Sequence, residues 1–313
     1  LIYALGLSGG VCAQTYPDKS VRVVVPFPPG GGADIVARAI TQKLTDALGK
    51  PFLVDNRSGA GGVLGADLAV HAAPDGYTLL FASSSSLSVS PHIMSKPPYD
   101  PQRDLTPVIL IASSPNVLVV HSSVPARSVK ELIALAKSRP GELIFASNVT
   151  GSLGHLTTEL FMQRAGIKML HVPYRGGAPA TIDTVAGNTS LLFATYSTVS
   201  AQVRAGRLRA LAVTSARRVQ AAPELPTVAE AALPGFESTQ WWGIFGPVGL
   251  PAEIVGKLNE QVNKILGNTD IKERLALDAT EPLGGTPSDL ARYLKADYDR
   301  WGKVVSDAGV RVD

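Results

Sequence analysis

From Val21 onward, short runs of β-branched and aliphatic residues alternate with longer stretches in which apolar side chains recur every three or four positions. The run Val21 to Val25 is followed by Ile35, Val36, Ala39, Ile40, Leu44 and Leu48, which share one helical face, so this region predicts a strand followed by a helix. Further strands are predicted at 52–54, 78–82, 108–111, 117–120, 143–146, 169–172, 191–194 and 210–213. Alternation on this scale predicts an α/β protein built on parallel sheets with helices on both faces.

Ser128-Val129-Lys130-Glu131 reads as a capping box that opens a helix ending near Pro140-Gly141, and Pro251 stands at the entry to a helix carrying Ile254, Leu258 and Val262. From Ala252 onward three helical patterns appear and no strand, so sheet formation is expected to end near Pro247. Two segments read as crossings between domains. One is 108–120, where two apolar runs flank Ala112-Ser113-Ser114-Pro115-Asn116, and the other is 241–247, which returns after a Pro-rich loop. They predict a two-strand hinge, with a cleft between a discontinuous first domain (14–113 with 241–313) and a continuous second one (114–240). A single large sheet is the alternative.

Composition narrows the class. With 45% hydrophobic and 18% charged residues the chain can bury a core, and 29 basic against 26 acidic residues leave a net charge of only +3 without runs of like charge. Nucleic acid is therefore not an expected partner. Residues 1–13 carry no charge and place Val11 and Ala13 where small residues precede a cleavage site, so they are expected to be part of a signal peptide and the protein to be periplasmic. Cys12, the single cysteine, lies inside that segment behind a branched Val11, which argues against a lipid anchor, and its removal leaves no disulfide or thiolate metal site.

Ligands of open α/β sheets bind beyond the carboxyl ends of strands. The loop from Pro26 to Asp34 contains Gly30-Gly31-Gly32, whose amides could approach an anion at a helix start, and 83–86, 147–152 and 173–177 offer hydroxyls and amides with little charge. No glycine follows Gly32 by three positions and no Gly-Lys-Ser/Thr is present, so neither nucleotide fingerprint is met. The one G-x-S-x-G, at 6–10, falls in the leader, and the five histidines lack metal-ligand spacing, so neither an enzyme, a cofactor nor a metal is expected. His155 lies one helical turn beyond Gly151-Ser152 and is a candidate for the same cleft. Asp34 has two readings: a local ion pair with Arg38 at i+4, or an acceptor for the ammonium of an amino-acid ligand. Arg175 could clamp a carboxylate or face solvent.

Tyr16-Pro17-Asp18-Lys19, the run from Val24 to Asp34, the run from Val54 to Gly62, Pro74-Asp75-Gly76-Tyr77, Pro173-Tyr174-Arg175-Gly176-Gly177 and Trp241-Trp242-Gly243 together resemble the Bug family of Bordetella-type uptake receptors. The resemblance covers essentially the whole chain after the leader. It implies a type II periplasmic-binding-protein-like fold and a monomeric extracytoplasmic receptor. Such a receptor captures a small carboxylate (an acidic amino acid or a di- or tricarboxylate) by cleft closure and passes it to the membrane permease subunits of a tripartite tricarboxylate transporter. Reporting solute to a signalling partner is a variant of that role. The family grips its ligand largely through main-chain amides and ordered water, which carries over onto Phe27, Gly31, Gly32, Ala33 and Asp34. Later loops add Ser84, Ser86, Asn148, Gly151, Ser152, His155, Tyr174, Gly176, Gly177 and Thr195.

Overall fold

Strand β1 (Val21–Val25) forms at the first apolar run, every residue except Arg22 being buried, and helix α1 (Gly32–Leu48) follows it. These and the elements below belong to a computed structural model that describes residues 16–311; the segment expected as a leader, its G-x-S-x-G and Cys12 lie outside the described residues. On α1 the side chains of Val36, Ala39, Ile40 and Leu44 are buried as the periodicity predicts, whereas Ile35 is exposed.

The chain continues through β2 (Phe52–Asn56), α2 (Val63–Val70) and β3 (Thr78–Ser83). A π-helical turn (Ser85–Val89) then leads into α3 (Ser90–Ile93) and the long strand β4 (Leu105–His121). Next come α4 (Val129–Ser138), β5 (Ile144–Ser147), α5 (Leu153–Ala165), β6 (Leu170–Pro173), α6 (Gly177–Val185), β7 (Leu191–Thr195), α7 (Tyr196–Arg204) and β8 (Leu208–Val213). The chain ends with α8 (Val228–Ala231), β9 (Thr239–Pro247), α9 (Ala252–Leu266), α10 (Thr269–Ala276), β10 (Glu281–Pro282) and α11 (Pro287–Ala308).

The strands run in the order β2-β1-β3-β9-β4-β7-β5-β6, and β8 and β10 also pair with β4. Along its first part, from Leu105 to Pro115, β4 pairs with β9; from Asn116 it changes partners and pairs with β7 and β8. One strand thus belongs to two groups, β2-β1-β3-β9-β4 and β4-β7-β5-β6 with β8, inside one continuous hydrogen-bonded path.

Four sequence expectations are corrected. The sheet is mixed, because β4 meets β7, β8 and β9 antiparallel, and β9 meets β3 antiparallel, where the chain passes out along one strand and returns along another. Residues 112–116, expected as a connection, are strand: Pro115 lacks an amide hydrogen but stands where β4 exchanges β9 for β7, so the lost donor falls at a break in the ladder. The tail does contain a strand, β10, whose Glu281 and Pro282 pair with Ser113 and Ala112. The Ser128 cap accepts from the Glu131 amide, but Glu131 returns its bond to the Arg127 amide, so only half of the capping box forms.

Each strand group carries apolar cores on both faces. Around the first group one core joins β1 and β3 to α1 and α9, and another joins Val24 and Leu80 to α2 and to Leu290 and Leu294 of α11. Around the second, one core joins Phe145 and Phe193 to α4 and α5, while the opposite one packs Ala180 of α6 and Val199 of α7. Helix α11 spans both groups: its far half puts Trp301, Val304 and Val305 into the core of Phe145 and Phe193. Burying such side chains contributes about 2 kcal/mol each, so α11 fastens the two groups substantially. Among the described residues no helix is long and apolar enough to cross a membrane.

Candidate functional site

Strands β5, β6 and β7 are each followed by a helix, so the N-termini of α5, α6 and α7 gather at one edge of the second strand group. A cleft of about 670 Å³ opens there, lined by Asn148 to Gly154, Gly177, Thr195 and Thr198. Phe27, Gly61, Ser85 and Ser90 face it from the first group, and Asn116 of β4 and Gln240 of β9 come from the strands that join the groups. None of the lining residues is charged.

Local bonds fix the backbone of this wall. The Ser152 hydroxyl caps α5 by accepting from the His155 amide (3.3 Å), and the Gly151 amide donates to His155 Nδ1 (3.1 Å). The Gly176 amide donates to the Asn148 carbonyl (2.8 Å), tying the loop before α5 to the start of α6. Gly176 has φ 122, a conformation open only to glycine, and no side chain caps α6. The first-turn amides of a helix have no partner within it and carry the positive end of its dipole. Neither α5 nor α6 has an acidic residue in its first turn to offset that charge. On α7 the Ser197 amide already donates to Asp278 Oδ1 (2.9 Å), a carboxylate from beyond α10.

The Gly30–Asp34 loop is arranged differently. The Asp34 carboxylate, only 4% exposed, accepts from the Gly30 amide (2.9 Å), from Arg38 Nε (3.0 Å) and from Asn56 Nδ2 (2.9 Å). Burial pushes this carboxyl up, but the bonds from Arg38, Gly30 and Asn56 outweigh it and hold the group below its ordinary range. The ion-pair reading of Asp34 and Arg38 is thus realised, and the carboxylate is already satisfied. Gly31 and Ala33 lie off the cleft, and Gly32 lines a separate cavity of about 380 Å³ beside Trp242 and Asp278. The left-handed backbone falls on Gly30 (φ 81), and a side chain at Gly31 or Gly32 would meet only ordinary contacts, at 3.7 Å and 3.5 Å.

Of the residues singled out in the sequence, Phe27, Asn148, Gly151, Ser152, Gly177 and Thr195 line the cleft. Ser84 and Ser86 are fully buried: Ser86 closes a turn onto Ser83 (3.1 Å), and the π-helical turn carries Ser85 and Ser90 into the cleft instead. His155 is buried behind the wall, stacked on His171 with ring centroids 3.9 Å apart and with Nε2 3.5 Å from Glu159. Burial, then the neighbouring His155, lowers the His171 imidazole to about 4, and its Nε2 lies 2.6 Å from Ser147 Oγ at the root of the loop. Tyr174 bonds Asp183, and burial followed by that carboxylate pushes its hydroxyl up to about 12. Arg175 is exposed.

Asn116 sits in a segment that reads only as a hinge, and Gln240 just before the other such segment, outside every loop that the sequence singles out. The register Asn116↔Thr195, which sets Asn116 beside the start of α7, depends on long-range pairing invisible in the local pattern.

Residues 36–310 match the family model described as the tripartite tricarboxylate transporter family receptor, TctC. The chain is 38% identical to protein BugT of Bordetella pertussis over 312 residues, covering 99% of this chain and 96% of BugT. Among solved structures it resembles R. palustris Rpa4515 with adipate (39% identity, TM-score 0.80, covering 94% of this chain and 98% of that one). It also resembles MatC of Rhodopseudomonas palustris with bound malate (32% identity, TM-score 0.76, 93% and 100%).

Proposed function

The chain belongs to the tripartite tricarboxylate transporter receptor family, a family of solute-binding receptors rather than enzymes, and from that premise we propose that it captures a small carboxylate in the periplasm and delivers it to membrane permease subunits. The observation that carries this reading is the uncharged cleft on which the α5 and α6 N-termini open without an acidic residue of their own. A carboxylate there exchanges its hydration for preoriented amides and the hydroxyls of Ser152 and Thr195. Each hydrogen bond to a charged group contributes roughly 1.5–3 kcal/mol net, so a few of them with cleft burial reach the roughly 8 kcal/mol of micromolar affinity. The solved relatives with adipate and with malate support a carboxylate as the ligand.

In this reading the chain divides into domains 14–113 with 241–313 and 114–240, the Trp301 end of α11 packing across onto the second, and they close on the ligand by bending where β4 changes partners and where β9 begins. The receptor works as a monomer. Thermal unfolding against a carboxylate panel tests the function: at 100 times its dissociation constant a ligand contributes about 2.7 kcal/mol, a rise of roughly 4 °C at this chain length. A flat response to every mono-, di- and tricarboxylate, with and without an amino group, would refute it.

A further inference from the structure

The cleft has one wall that the anion site does not use. Val89, Ile93, Leu153 and Phe193 face the cleft and are at once members of a single apolar core, with Met94 packed against them. A hydroxyl or ammonium pressed on that wall would be desolvated without a partner, at a cost of about 1–3 kcal/mol or more. At the floor stands Asn116, 6% exposed, whose main chain is fully engaged with Thr214: its amide donates to Thr214 Oγ1 (2.8 Å) and its carbonyl accepts from the Thr214 amide (2.9 Å). Its side-chain Nδ2 is buried and bonds nothing in the protein. A buried, unpaired donor on the wall of a cleft is costly unless a bound group completes it.

We propose that the solute is a carboxylate with an apolar body, an aromatic ring or a chain of about six carbons, held with its carboxylate toward Asn116 and the α5 and α6 N-termini and its body against Ile93, Met94 and Phe193. This rests on the receptor reading above and gives its ligand a class. Compact hydroxy acids and amino acids fit poorly. No lining residue offers a counter-charge to an ammonium, and Asp34, which the sequence suggested for that task, lies off the cleft with its oxygens committed to Arg38, Gly30 and Asn56.

Calorimetric titration of the intact protein with benzoate, adipate, succinate, malate and aspartate separates the alternatives. Benzoate and adipate should bind at least about tenfold more tightly than the other three, the effect of roughly two buried methylenes. Malate or aspartate binding as tightly as benzoate and adipate would overturn the class, whereas no binding by any of the five, together with a flat response across the wider carboxylate panel, would defeat the carboxylate-receptor reading itself. Asn116→Leu should weaken benzoate and adipate about tenfold, and Asn116→Ser, which keeps a small polar side chain, guards against misfolding as the cause. Full affinity in a folded Asn116 variant would remove this residue from the site. Met94→Gln should reduce the ratio of benzoate to succinate affinity by about threefold, and an unchanged ratio in a folded protein would contradict the apolar contact.

Discussion

Two kinds of helix beginning follow the carboxyl ends of strands in this molecule and have opposite electrostatics. At α1 the glycine-rich loop is closed on its own carboxylate: Asp34 in the first turn takes the Gly30 amide, Arg38 and Asn56, so the positive end of the helix already faces a buried anion. At α5 and α6 the first turns contain no acidic residue, and their starts open into the uncharged cleft. A glycine-rich loop is therefore not by itself an anion cradle. What distinguishes the two is whether the sequence supplies its own anion within a turn of the helix start.

Transplanting the acid should break the difference most. Gly177→Asp places a carboxylate in the first turn of α6, as Asp34 does in α1, where the nearest contact of the new side chain would be Asn148 Oδ1 at 3.4 Å. Carboxylate affinity should fall about a hundredfold through like-charge repulsion in a partly desolvated cleft, while the melting temperature holds because an acid suits a helix start. Titration calorimetry with paired melting curves reads both.

The reverse change should act on stability alone. Asp34→Asn loses charge-assisted bonds worth about 2 kcal/mol, lowering the melting temperature by about 3 °C, with ligand affinity within threefold of wild type. A tenfold loss of affinity at an unchanged melting temperature would return the first loop to the site.

The smallest effect concerns the support behind the cleft wall. His171 titrates near 4 in the folded chain, below the ordinary histidine value of 6.5. The unfolded chain therefore takes up the proton first, and stability falls as pH drops from about 6.5 toward 4, levelling below that and unchanged at neutral pH. For this half-buried ring, facing His155, Glu159 and Ser147, the change should be about 2 °C after solvent screening, and His171→Gln should flatten that window in melting curves taken against pH.

Much of this was legible locally. The α/β alternation is written in the spacing of Val21 to Val25 and of Val36, Ala39, Ile40 and Leu44, because burial of one face imposes a period. Six of the fifteen site residues named from the sequence line the cleft, and they lie at or shortly after the ends of strands, where chain order alone puts them near a sheet edge. What the sequence concealed depends on partners far along the chain. Ser113, Ser114 and Pro115 have loop composition, yet β9 makes them strand. The serine run from Ser83 to Ser86 reads as one loop offering its hydroxyls after a strand, but the fold buries Ser84 and Ser86 and presents Ser85. Helix α11 was expected to complete the first domain, and only packing shows its Trp301 end inside the other group's core.

The contrast between the helix starts is tested most directly by backbone amide shifts in a benzoate titration of the isotopically labelled protein. The account predicts that the largest saturable shifts fall on Leu153, Gly154, Gly177 and Ala178 and that Gly31, Gly32 and Ala33 move little. The largest shifts on Gly31 to Ala33, with the α5 and α6 starts unmoved, would contradict it.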